Sequence, residues 1–220
     1  MTEAEWFACG DPALVIGAIG RPAWTERRGR LFAVECCNRL RALPDPRLRA
    51  VIETVERYAD GLVAGTELSA ASTIAVSSVE WEARHDMSSW QSSAAEVVLA
   101  AVSVEEYTVI NSLVASVLAG RAQNDEPVTE AQQRRALVAL MREIAWNPFR
   151  PVAFNSAWRT ADVVALAEGT YEKAFDRLPI FADALQDAGC GADDLLMHLR
   201  DPEAAHVRGC WALDLVLGKG

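Results

Sequence analysis

The chain has 220 residues, with 21 Lys+Arg against 31 Asp+Glu, a formal charge of −10 at pH 7 and a sequence pI near 4.8. Its 51% hydrophobic and 24% charged residues, at a mean hydropathy of +0.06, are enough to bury a sizeable core, which excludes whole-chain disorder and suits one domain or two lobes. The negative charge offers no attraction to nucleic-acid phosphates or anionic lipid, so neither nucleic acid nor membrane is expected as a partner, and a basic protein is.

Helix signals recur along the whole chain. Thr2 with Glu5, Ser103 with Glu106 and Thr129 with Gln132 form capping boxes, and Asp11-Pro12, Asp45-Pro46 and Asp201-Pro202 each put a good N-cap before the residue favoured at the first helical position. Glu26 to Leu43 reads as an amphipathic helix with a basic face, stopped by Pro44, and Pro46 to Leu62 as its antiparallel partner. From about Glu67 to Val104 the chain turns rich in Ala, Ser and Val, which reads as an acidic, mobile insertion with one or two small-residue helices. Helices over Glu105 to Leu118 and Glu130 to Ile144 follow, separated by the polar stretch Gln123 to Pro127.

The stretch Asn147-Pro148-Phe149-Arg150-Pro151 cannot be helical, because each proline pushes its predecessor out of the helical region. Beyond it Thr160 opens a helix to about Tyr171. Leu178 to Ala188 forms another, with Gly189 at its left-handed end, and Asp193 to Leu199 and His206 to Leu217 complete the set. The expected fold is all-α: a multi-helix bundle with an N-terminal part over 1–146 and a compact C-terminal lobe over 147–220.

Several long stretches carry a resemblance: EAEWFAC, RLFAVECCNRL and VERYADGL in the first part, then NPFRPV, AFDRLPIFADALQDAGC, LLMHLR and HVRGCWALDLVLGK. Together they resemble an uncharacterised family of bacterial proteins, mainly of planctomycete type, and the likeness skips the Ala/Ser-rich middle. The resemblance implies a bacterial protein of the kind sometimes fused to or encoded beside signalling, toxin or immunity modules. It brings no activity, cofactor or catalytic residue.

Five cysteines, Cys9, Cys36, Cys37, Cys190 and Cys210, are odd in number and irregularly spaced, which argues against a disulfide framework and for a cytoplasmic location. The opening residues are acidic where a secretory leader is basic, and no uncharged run reaches the ~18 residues a membrane span needs. The most suggestive chemical group is Cys190, His198, His206 and Cys210, two thiols and two imidazoles that suffice for tetrahedral zinc although their spacing is not that of a zinc finger. The alternative is that the cysteines are small core residues and the histidines bond at helix ends. Cys36 and Cys37, about 100° apart on a helix and so unable to form an easy disulfide, read as packing, or as a redox-sensing thiolate beside Arg30, Arg39 and Arg41.

Asp214, on an otherwise apolar helix, needs a cation, for which Arg150, Arg208 and Arg177 are candidates. The resulting structural ion pair is weighed against a catalytic group of Cys210, His206 and Asp214. Phosphate-loop, dinucleotide, α/β-hydrolase and H-E-x-x-H signatures are missing, so an enzyme is not favoured. Trp81 and Trp90 lie in the Ser-rich middle with little apolar company and are candidates for a partner-binding edge, while Trp146 and Trp211 read as core. The expected function is therefore a non-enzymatic interaction or regulatory module of signalling or immunity type. The alternatives are a zinc-binding protein or metal-dependent hydrolase built on the C-terminal Cys/His cluster, and a homo-oligomeric scaffold.

Overall fold

The computed structural model describes residues 1–39, 45–84, 89–103, 129–172 and 175–219, and the expected Ser103/Glu106 box, the Glu105 to Leu118 helix, the Gln123 to Pro127 stretch and Pro44 fall outside them in whole or part. Among the described residues the chain forms eleven α-helices and no strand. Helices α1 (Glu3–Ala8), α2 (Pro12–Ile19), α3 (Glu26–Asn38), α4 (Arg47–Ala59), α5 (Gly65–Arg84), α6 (Ser89–Val102) and α7 (Glu130–Ile144) are followed, after an extended connector, by α8 (Ala161–Tyr171), α9 (Leu178–Asp187), α10 (Asp193–Arg200) and α11 (Trp211–Leu217).

Local chemistry accounts for most of the boundaries. Thr2 and Thr129 close complete capping boxes with Glu5 and Gln132, and Asp11, Thr25 and Thr160 each accept a backbone N–H from the first turn of their helix. Asp45 accepts the N–H of Arg47 at 2.9 Å and opens α4. Asp201 accepts the N–H of Glu203 in the same way, at 2.9 Å, yet only a turn follows. The expected helix from His206 likewise begins only at Trp211. Gly209, at φ 90°, takes the backbone out of the right-handed helical region, and a Cβ there would stand 2.8 Å from Leu31 Cδ1.

Two apolar cores form among the described residues, with half-buried Trp146 packed against the second. The first holds Trp6, Ile16, Phe32, Leu48, Val55, Leu140, Met141 and Ile144. The second holds Leu178, Phe181, Leu185, Leu195, Leu199, Leu213 and Val216. The Ala/Ser-rich middle belongs to the first: α5 and α6 pack on each other and on α3 and α4, burying Ala71, Ala75, Ala95, Val97, Val98 and Ala101. What reads as a mobile insertion is thus a helical pair whose small side chains allow close approach. The basic face of α3 is also not a solvent face. Arg30 is buried and donates to the carbonyls of Ala101 and Val102 at the end of α6, and Arg28 donates to the Ala23 carbonyl at 2.9 Å while lying over Trp146. No helix among the described residues is long and apolar enough to cross a membrane.

Candidate metal centre

Where the two cores meet, four side chains from four parts of the chain converge. Glu143 comes from the last turn of α7, His198 from the last turn of α10, His206 from the loop after it, and Cys210 from the residue before α11. His198 Nε2 lies 3.4 Å from Cys210 Sγ and 3.4 Å from Glu143 Oε2, and His206 Nδ1 lies 3.1 Å from Glu143 Oε1. One ligand atom from each of the four falls within 4.8 Å of the others. Bonds of ~2.0–2.3 Å to a tetrahedral zinc set its ligand atoms roughly 3.3–3.8 Å apart, so small side-chain movements bring these four into a coordination shell. The His198 ring is braced by Trp211, 4.9 Å away and tilted by 38°, and by His206, edge-on at 5.1 Å.

The expected ligand set is corrected at one position. Cys190 is buried in the second core, where its N–H closes the end of α9 on the Leu185 carbonyl at 3.0 Å behind left-handed Gly189, and Glu143 takes its place in the cluster. Spacing could not reveal Glu143, which is remote in sequence. The one signal is an acidic residue in the apolar run LVALMREI, where α7 buries Leu140, Met141, Glu143 and Ile144 together.

Electrostatics in the cluster are those of a carboxylate surrounded by donors. Burial pushes the Glu143 carboxyl up, but hydrogen bonds from His198 and His206, with their charge, outweigh it and hold the group at about 2. For His206 burial acts downward and is outweighed by the Glu143 hydrogen bond and charge and by Asp201, so the imidazole sits above its ordinary value. Burial and Glu143 together push the Cys210 thiol well up. A buried neutral thiol is a poor nucleophile. A Cys-His-acid relay also needs the imidazole to face thiol and acid with opposite nitrogens, whereas His198 turns the same Nε2 to both. The shared focus is the geometry of ligands around an ion.

Asp214 takes no part in this cluster. Arg27, on α3, donates to its two oxygens at 2.5 and 3.0 Å, so the expected partners Arg150 and Arg208 are replaced. Arg208 instead reaches Asp60 at 3.3 Å and Glu172 at 3.1 Å, and Arg150 pairs with Glu3 at 2.8 Å and approaches Asp194 at 3.9 Å. The cause is packing. The connector lies against the starts of α1 and α10, while α11 presents Asp214 to α3. Asp60 completes the buried network with Arg27, with Lys219 at 3.7 Å and with the hydroxyl of Tyr171, which donates to it at 2.9 Å. With Asp214 held by Arg27, the Cys210, His206 and Asp214 catalytic group has no geometric basis.

The other sequence candidates fall elsewhere. Cys36 and Cys37 are buried, and burial pushes the Cys37 thiol well up, which removes the redox reading. Trp81 is 47% exposed on α5; Trp90 lies on α6, with its side chain outside the described residues. Trp211 is buried and Trp146 half-buried. Comparison with known proteins places the chain beside none of them: no family model matches it, and no curated protein and no solved structure matches it.

Proposed function

We propose that the protein binds one zinc ion through Glu143, His198, His206 and Cys210, as a structural centre in a helical module that acts by binding a basic protein partner rather than by turnover. The observation that carries the metal reading is the convergence of His198 Nε2, Cys210 Sγ and a Glu143 oxygen on one point. Two imidazoles, a thiolate and a carboxylate form a borderline-soft set that suits zinc better than calcium or magnesium. A shell filled by four protein ligands leaves no open position for a substrate or an activated water, which favours a structural ion over a hydrolase. The ion joins the first core, through Glu143, to the C-terminal lobe, through the other three. The scaffold alternative gains nothing from Ala71, Ala75, Ala95 and Ala101, which pack within the chain.

Elemental analysis of the untagged protein and zinc titration after chelation test the centre. One zinc per chain is expected, lost in Cys210→Ser and His198→Asn and kept in Cys190→Ser. Cobalt in its place should show thiolate charge transfer and the strong visible bands of a tetrahedral ion. Sub-stoichiometric zinc, or equal binding by Cys210→Ser, overturns the proposal.

A further inference from the structure

Large apolar side chains exposed to water are mostly scattered over the described surface, but two of the most exposed, Phe7 at 61% and Met197 at 63%, line a single cleft. The cleft opens between α1, the end of α7, the connector, α10 and α11. Its walls are Trp6, Trp146, Val152 and Trp211, its volume is about 260 Å³, and the His198 side chain forms part of its lining. Phe149, also exposed, packs edge-on against Trp6 at 6.3 Å. Three tryptophans around one opening, with unpartnered apolar side chains at its edge, have the make-up of an interface hot spot.

We propose that this cleft docks a basic segment of a protein partner. One aromatic or long aliphatic side chain inserts beside Trp6, Trp146 and Trp211, and a neighbouring Lys or Arg sits between Glu3 and Asp194. The proposal rests on the reading of the chain as a binding module, and not on the ion. Size argues for a side chain over a free ligand, since sites for drug-sized molecules run to ~300–1,000 Å³. Charge selects the cation. The lining acids are Glu3 and Asp194. Of the two lining arginines, Arg142 is turned inward, donating to the carbonyls of Trp6 and Cys9 and lying over the Trp6 ring. Arg150 alone stands between the two carboxylates, 2.8 Å from Glu3 and 3.9 Å from Asp194, with 60% of its side chain in water. Exposed pairs of this kind are weak, so a partner's cation can take Arg150's position at little cost. The chain's net charge of −10 draws the same class of partner.

The test is a titration of the ¹⁵N-labelled 220-residue chain with three peptides, acetyl-Lys-Trp-Lys-amide, acetyl-Glu-Trp-Glu-amide and acetyl-Lys-Ala-Lys-amide, and with free indole, following the indole N–H signals. Lys-Trp-Lys should shift the signals of Trp6, Trp146 and Trp211 saturably and leave that of Trp24 in place. The other two peptides should bind at least about tenfold more weakly, and Met197→Glu and Phe7→Glu, both at exposed positions, should each weaken Lys-Trp-Lys about tenfold. The proposal fails if no saturable shift appears, if Glu-Trp-Glu binds as well, if both variants bind normally, or if indole alone matches the peptide and so marks a small-molecule site. Zinc content measured on the same samples separates failure of the cleft from failure of the metal centre.

Discussion

Glu82 is 2% exposed on α5, and neither carboxylate oxygen has a hydrogen-bond partner among the described residues. Burial first, then Asp45 and Glu96, push its carboxyl up to about 7 from the ordinary 4.5. The folded protein therefore holds this proton more tightly than the unfolded chain. The stability it confers is complete below about pH 4.5 and is lost as pH rises through 7. Glu82→Gln should be close to neutral at pH 4.5 and stabilising at pH 8 by on the order of 2 kcal/mol, read from urea denaturation at the two pH values. A stability difference independent of pH would show that the carboxyl stays hydrated. Gly209 is a second single-residue test. A Cβ at φ 90°, 2.8 Å from Leu31 Cδ1, combines backbone strain with overpacking, so Gly209→Ala should cost about 2 kcal/mol or more. Because Gly209 adjoins Cys210, zinc affinity should fall with it.

At the scale of elements, helix identity was legible wherever the cause is local. The capping boxes at Thr2 and Thr129 and the caps at Asp11, Thr25 and Thr160 use side chains within three residues of the groups they satisfy. The same local signal misled at Asp201-Pro202, where it closes a turn but no helix follows. It was silent on which helices touch: nothing in the Ala/Ser run says that α5 and α6 bury their alanines against α3 and α4. The Arg27 network has the same origin, tying α3, the end of α4, α8 and α11 together through Asp60, Tyr171 and Asp214. Arg27→Ala leaves the buried Asp214 without its ion-pair partner, while Asp60 keeps Arg208 and Lys219, and a loss of ~3–5 kcal/mol is expected from thermal or urea unfolding. Asp214→Asn should cost less, because Arg27 keeps Asp60.

For the whole molecule the cluster of Glu143, His198, His206 and Cys210 and the Arg27 network both join α1–α7 to α8–α11. An ion that binds only the folded protein stabilises it by mass action, by ~4 kcal/mol when free zinc exceeds the dissociation constant a thousandfold. The midpoint of thermal unfolding should therefore climb with free zinc in the wild type and stay flat in Cys210→Ser, and equal responses would place the ion elsewhere. The cleft proposed for docking lies along the same junction, with His198 both lining it and belonging to the four-residue cluster.

The sequence by itself determined the helical class, most helix starts and the non-helical Asn147 to Pro151 connector, and it singled out three of the four side chains that converge in the cluster. Periodicity, caps and proline geometry act over a few residues and can be read in order along the chain. Only the tertiary structure decided that Glu143 rather than Cys190 joins His198, His206 and Cys210, that Arg27 rather than Arg150 or Arg208 meets Asp214, and that Trp6, Trp146 and Trp211 surround one cleft. Those contacts are set by how helices far apart in sequence pack on one another, and packing brings together side chains that no spacing rule connects.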